Sequence, residues 1–435
     1  MRILRSLLPA LWLAAVLAVV PARMRAAENG EIVSVTKREF LARGLDRKGL
    51  DLLMEKNGKI YIVASPGDLA ALFAARVPFS RETDRFFPFD QTGISPSGGL
   101  NGAYHSTLEL ETDLRVLERD HPQMAKVVEL GETLEKRKIY ALKISNNVSL
   151  EENEPAVLLV GCHHAREWIS VEVPFLFGKY LLENYAGSPE IQNLVNRSEV
   201  WIVPIVNPDG LEYTIHVYRY WRKNRRFNAD GSYGVDVNRN YAYQWGYDNV
   251  GSSPEPASDV YRGTAPFSEP ETDAVRRLFL SRNFRAMISF HSFAQDILYP
   301  WGYVNAPTPK EAELDAIART MSGLIAAVRG TVYAYGRAAG LLYTTNGDTV
   351  DWVFGVSGIP GFTIELPPVD VDHGGFFNDE AAIGAIFGEN LPAMLYLTDY
   401  AIQHPSAPGG RAREWARRLF SPRRLGFIGR IDKVP

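Results

Sequence analysis

The chain has 435 residues, one cysteine and a formal net charge of −4. With 46% apolar residues it has ample material for a buried core. The near balance of charge gives no drive toward nucleic acid, and a single thiol excludes an internal disulfide. No internal repeat and no long low-complexity segment is present.

The first predicted element is a targeting segment. Met1–Arg5 carries two arginines, Leu7–Val20 is apolar, and Val20-Pro21-Ala22 offers small residues where a signal peptidase reads. This layout predicts a secretory signal over residues 1–22, too short and wrongly flanked for a stable membrane span. An uncleaved anchor is the competing reading. Export to an extracellular or periplasmic space follows, and without disulfides the stability must come from a large core and bound metal.

Residues 28–80 read as a small α+β unit: Ile32–Val35 and Ile60–Val63 are strand-like, Arg38–Leu41 and Asp68–Arg76 helical. Such a unit lies close to the lower size limit for folding alone. Residues 81–99 turn polar and rich in Pro, Gly and Ser, which predicts a linker.

The main body spans 100–403. Leu108–Arg119 predicts an amphipathic helix ended by His121-Pro122. Lys138–Ile144, Ala156–Val160, Val200–Val206, Arg285–Phe290 and Phe362–Leu366 are apolar runs of strand length, with helical stretches such as Trp168–Tyr185 and Glu271–Ser281 between them. Near-continuous apolar strands alternating with helices predict an α/β fold, a mixed and mostly buried central sheet with helices on both faces. Active sites in such sheets collect beyond the carboxyl ends of strands. The tail, 404–435, carries seven arginines and reads as a basic extension, solvated and partly ordered.

The eight histidines can be weighed one by one. His164 and Glu167 follow the Ala156–Val160 run, and a three-residue offset puts both side chains on one side of a helical turn. Imidazole and carboxylate suit zinc, whose catalytic sites use three protein ligands and keep one position open. His291, closing the Arg285–Phe290 run, is the best third ligand. His163 is a rival, although its third neighbour downstream is Arg166 rather than a carboxylate. His105, His121, His216, His373 and His404 read as surface or structural.

The segment His164-Ala165-Arg166-Glu167-Trp168-Ile169-Ser170 closely resembles the zinc-binding stretch of the metallocarboxypeptidases related to pancreatic carboxypeptidases A and B. The resemblance continues through Asn207-Pro208-Asp209-Gly210, Trp221-Arg222-Lys223-Asn224-Arg225, Gly234-Val235-Asp236-Val237-Asn238-Arg239-Asn240 and Ser289-Phe290-His291-Ser292-Phe293. It closes with Tyr343, Asp351-Trp352 and Phe362-Thr363-Ile364-Glu365-Leu366, in the family's order, from Tyr104 to Tyr400.

The resemblance implies one zinc ion on His164, Glu167 and His291, with Glu365 as general base. It implies Arg225 as the oxyanion partner, Arg222 on the substrate path, Asn238 and Arg239 on the substrate's terminal carboxylate, Tyr343 closing over that terminus, and Arg166 further along the substrate. Phe293 stands where the pancreatic enzymes commonly have tyrosine, which bears on subsite contacts. Ala338, Leu342, Asp348 and Val350 would help build the pocket for the last side chain. Val350 occupies the place where basic-specific members tend to carry Asp, so hydrophobic C-terminal residues are expected, with Asp348 giving some activity on basic ones. The implied enzyme is a monomeric zinc exopeptidase acting on peptides or proteins with a free C-terminus. The 28–80 unit stands as either an inhibitory prosegment, as in many relatives, or a retained structural domain. The alternatives are a cell-wall amidohydrolase of the same superfamily and a non-catalytic binding relative. Together Asn238, Arg239 and Tyr343 argue against the first, and the complete ligand set and base against the second.

Overall fold

A computed structural model describes residues 31–45, 50–56, 58–64, 66–81, 101–150, 152–370 and 373–404. The expected signal, nearly all of the linker and the basic tail beyond residue 404 lie outside the described residues. Among the described residues no helix is long and apolar enough to cross a membrane.

The N-terminal unit consists of β1 (Glu31–Thr36), α1 (Lys37–Ala42), β2 (Asp51–Lys56), β3 (Lys59–Ala64), α2 (Pro66–Ala74) and β4 (Ser80–Arg81). Its four strands form an antiparallel sheet in the order β2-β3-β1-β4. Val33, Val35, Ile60 and Ile62 pack against Phe40 and Leu72. Thr36 ends β1 and starts α1 together, its hydroxyl accepting from the Glu39 amide at 3.3 Å. Both expected strands and both helices are present. β2 was not foreseen, and Arg81 belongs to β4 rather than to the linker, paired opposite Val33.

The main body runs α3 (Thr107–Asp120), β5 (Ala125–Glu132), β6 (Lys138–Ile144), β7 (Ala156–Val160), α4 (Ile169–Asn184), α5 (Pro189–Val195), β8 (Glu199–Val203) and α6 (Pro208–His216). It continues with α7 (Pro270–Ser281), β9 (Phe284–Ser292), β10 (Asp296–Tyr299), α8 (Glu311–Arg329), β11 (Ala334–Arg337), α9 (Ala338–Leu341), α10 (Thr349–Ser357), β12 (Gly361–Leu366) and α11 (Ile383–Gln403). Eight strands form one mixed sheet in the order β11-β10-β12-β9-β7-β8-β6-β5. The centre, β12-β9-β7-β8, is parallel, and antiparallel strands flank it. This is the mixed, helix-flanked α/β sheet that the sequence predicts.

Strand β7 shows why the apolar runs are continuous. Val157 and Leu159 point into one hydrophobic core, and Ala156, Leu158 and Val160 into another on the opposite face. A strand covered on both sides cannot alternate apolar with polar. Truncating such a leucine to alanine typically costs about 2–5 kcal/mol.

The expected strand Val200–Val206 ends three residues early, at Val203. Pro204 has no amide hydrogen to donate, so the ladder stops there. Asn207 then caps α6, its side chain accepting from the Gly210 amide at 3.0 Å. The same side chain donates to the carbonyls of His163 and Lys223, tying two site-bearing segments together. A Cβ on Gly210 would lie 2.5 Å from the Lys223 carbonyl oxygen, which is why this position takes glycine. The Asn-Pro-Asp-Gly stretch is therefore a clamp.

Candidate active site

Two parallel strands and one turn assemble the metal centre. After β7 the chain turns at once, the Glu167 amide donating to the His164 carbonyl at 3.2 Å, which places the two side chains together. His291 arrives on β9, the neighbour of β7 in the sheet. The ligand atoms of His164, Glu167 and His291 all lie within 4.8 Å of one another, and all three residues are buried. His164 Nδ1 is 2.8 Å from Glu167 Oε1, and His291 Nδ1 is 3.0 Å from Glu167 Oε2. The structure brings together the three residues expected to hold metal.

The far side of each ring is braced. His164 Nε2 lies 3.3 Å from Asp236, and His291 Nε2 is 3.0 Å from the Ser289 hydroxyl and 3.4 Å from Asn238 Nδ2. A partner on the second nitrogen fixes tautomer and ring direction, as metal-binding histidines require. Two imidazoles and a carboxylate, buried, converging and oriented from behind, fit a zinc ion. His163 is not a ligand in this arrangement. Its Nε2 is 2.9 Å from both the Tyr241 and Thr349 hydroxyls, and its ring stacks on His291.

Glu365 lies in register with His291 on the adjacent strand β12, so the two residues are neighbours across one strand spacing. Burial and the nearby Glu167 and Asp296 carboxylates push its carboxyl well above the usual range, while Arg222 and Arg239 oppose that shift. Its pocket is lined by Asn238, Arg239, Leu298, Ala338, Leu342, Tyr343, Thr345, Asp348, Val350 and Thr363, together with His164 and His291. Asn238, Arg239, Tyr343, Asp348 and Val350, all expected from sequence, thus meet in one place.

Neighbours hold these groups in position. The Asn238 amide oxygen accepts from the Thr349 amide and hydroxyl at 2.9 and 2.7 Å, which turns its nitrogen toward His291. The Arg239 guanidinium donates to the Gly251 and Asn238 carbonyls. Asp348 caps α10, accepting from the Asp351 amide at 2.8 Å, and also takes the Thr345 hydroxyl. Burial raises the carboxyls of Asp348 and Asp351. Asp351 in turn accepts the Gly302 and Tyr303 amides, locking the turn after β10 to α10. A Cβ on Gly302 would lie 2.2 Å from the Thr345 hydroxyl oxygen, so the pocket wall closes only over glycine.

The two arginines of the Trp221–Arg225 stretch have different surroundings. Neither Arg225 nor Arg222 lines the pocket. The Arg225 guanidinium lies against the rings of Tyr213, Tyr233 and Trp221, at 3.6, 4.5 and 4.6 Å. Arg222 is held by Asp236 instead. It donates two bonds to Asp236 at 3.0 and 2.9 Å, and its charge reaches both His291 and Glu365. The Trp221–Arg225 stretch belongs to no regular element, so a three-residue offset carried no information about direction. Arg166 is buried beneath the Phe376 ring at 4.2 Å, and Phe293 packs on that same ring.

Sequence reasoning missed Asp236, which links His164 to Arg222, and Thr349, which orients Asn238. Asp236 sits inside a quoted motif, and an aspartate between two buried valines was signal enough to single it out.

The comparisons with known proteins agree with this geometry. A family model described as zinc carboxypeptidase matches residues 110–393. Carboxypeptidase A1 of Rattus norvegicus is 32% identical over 327 residues, covering 74% of this chain and 76% of that protein. A zinc carboxypeptidase of Saccharothrix mutabilis subsp. capreolus is 31% identical over 375 residues, covering 82% and 85%. The crystal structure of thrombin activatable fibrinolysis inhibitor superposes with a TM-score of 0.70 at 27% identity, covering 86% of this chain and 99% of that one. The chain therefore belongs to the zinc carboxypeptidase family and is a metallopeptidase hydrolase.

Proposed function

We propose that the protein removes the last residue of peptides or proteins, with Glu365 as general base and one zinc ion held by His164, Glu167 and His291. The row of His291 and Glu365 on adjacent parallel strands, opening on a pocket lined by Asn238 and Arg239, carries this reading. When bound there, zinc would acidify water and polarise the scissile carbonyl.

The chain's own residues supply the rest. Arg239 and Asn238 receive the substrate's terminal carboxylate, and a guanidinium fork suits two carboxylate oxygens as an ammonium cannot. An internal peptide segment has no carboxylate to place there, which makes the reaction an exopeptidase one. Glu365 takes a proton from the attacking water and returns it to the leaving amine. Arg222, rather than Arg225, carries the charge that steadies the developing oxyanion, because of these two it is Arg222 whose charge acts on Glu365. Tyr343 covers the bound terminus, and Arg166 contacts the substrate further from the scissile bond.

The pocket favours hydrophobic C-terminal side chains through Val350, Leu298, Leu342 and Ala338. Asp348 gives a smaller activity on basic ones, its carboxylate being already occupied by Thr345 and the Asp351 amide.

The test is release of phenylalanine from a blocked dipeptide. We expect release that a chelator abolishes and zinc restores, and a loss of about 10³-fold in kcat for Glu365→Gln with zinc content unchanged. Release that persists after zinc removal, or a Glu365→Gln enzyme within tenfold of the original, would defeat the reading.

A further inference from the structure

Three side chains lie in one row across three adjacent strands. His291 on β9 is in register with Glu365 on β12, and Glu365 is in register with Asp296 on β10. One residue pair deeper, Thr363 stands opposite Leu298, and both line the pocket. Directly opposite residues share a face of the sheet, so Asp296 stands on the same face as Glu365, about 5 Å away across one strand spacing. It is not among the residues lining the pocket and stands on the strand beyond Glu365.

Asp296 is a carboxylate in an unusual position. It is only 8% exposed, and among the described residues no hydrogen bond or ion pair reaches its side chain. Burial alone pushes its carboxyl up to about 7. On its other side the strand partner is Ala334, a small and exposed residue that leaves room above the sheet. A buried carboxylate without a partner is costly, and it gains most from a cation that arrives to pair with it.

Resting on the exopeptidase reading above, we propose that Asp296 is a specificity-determining residue. It would bind a positive charge carried by the substrate residue that precedes the scissile bond. The pocket takes the C-terminal residue inward, toward Arg239 and Val350, so the preceding residue lies over the outer row, where Asp296 is the group next to Glu365. Two cations could meet it: a basic side chain at that position, or the free α-ammonium of an unblocked dipeptide.

The test uses the zinc-loaded protein and its Asp296→Asn variant, a near-isosteric change that removes the charge. Three substrates share a C-terminal phenylalanine: blocked Arg-Phe, blocked Ala-Phe and unblocked Ala-Phe. We expect the original protein to favour blocked Arg-Phe over blocked Ala-Phe by about tenfold in kcat/KM, and Asp296→Asn to lose that ratio. If the α-ammonium is the group bound, the ratio of unblocked to blocked Ala-Phe collapses instead. Ratios that are equal in the two proteins would overturn the proposal. So would a uniform change on all three substrates, which would mean that Asp296 acts only on Glu365. Release from none of them would defeat the exopeptidase reading and this inference together, which separates that failure from one confined to Asp296.

Discussion

The middle of the main sheet and its β10–β11 edge meet at the active site but are built on different terms. The middle carries His291 on β9, Glu365 on β12 and, in the turn after β7, His164 and Glu167; β7 and β9 have a hydrophobic core on each face, and β12 has one on a single face. The edge consists of two four-residue strands, the short α9 and the capped start of α10, and supplies the pocket walls. Where the chain is packed on both faces, positions follow from strand register. Where it is short and partly exposed, they follow from individual polar contacts such as Asp351 with the Gly302 amide. On the proposed reading, the chemistry would be fixed by the core, and selectivity by a wall that single substitutions can retune.

The largest effect that would sharpen this contrast separates the two arginines. Arg222→Ala, which removes a charge acting on the base, should lower kcat by about 10²–10³-fold. Arg225→Ala, which empties an aromatic cage, should change kcat by less than tenfold and lower the melting temperature instead. Steady-state kinetics beside thermal unfolding would decide between them. Equal losses of kcat would contradict the assignment of Arg222 to the catalytic end.

A smaller change is expected at the edge. Asp348→Asn keeps a good helix cap but removes a charge from the pocket. The rate on a C-terminal arginine substrate should fall about tenfold relative to the phenylalanine one, while chelator-sensitive activity on the latter persists. An unchanged ratio would exclude Asp348 from specificity.

The smallest effect lies away from the site and concerns stability. His105 Nδ1 is 2.7 Å from the buried Glu172, and its other nitrogen is 3.1 Å from Asp113. These carboxylates overcome the desolvation of the ring and raise its pKa to about 9. A raised histidine stabilises the fold fully below its ordinary pKa of 6.5, and that contribution disappears as pH climbs through about 9. The protein should therefore lose roughly 1–3 kcal/mol from this pair between those limits, and His105→Gln should flatten that slope. Denaturant unfolding at both ends of the range would show it. Parallel pH profiles for the two proteins would remove the ion pair from the account.

Much of the sheet's centre was legible because burial on both faces forces continuous apolar runs, as at Ala156–Val160. Polar residues at the ends of such runs, His164 and Glu365 among them, stand out against that background. The edge was not legible. β10 and β11 are too short to show a period, and β10 begins with an aspartate that no propensity argument places in a sheet. The strand expected to reach Val206 stops at Val203, although Pro204 had announced the break in the sequence. The surroundings of Arg222 and Arg225 were not legible because the two lie in an irregular segment, where direction depends on partners far along the chain.

The sequence by itself determined the α/β class, the ordered motifs and the residue types able to hold zinc and move a proton. These are local properties, set by hydrophobic pattern and by the chemistry of each side chain. The tertiary structure alone decided that Arg222 meets Asp236 while Arg225 lies among aromatic rings, that His163 stacks on the ring of His291, and that Asp296 shares a row with Glu365. Each of these depends on strand order and cross-strand register between segments distant in sequence, which no single stretch of the chain encodes.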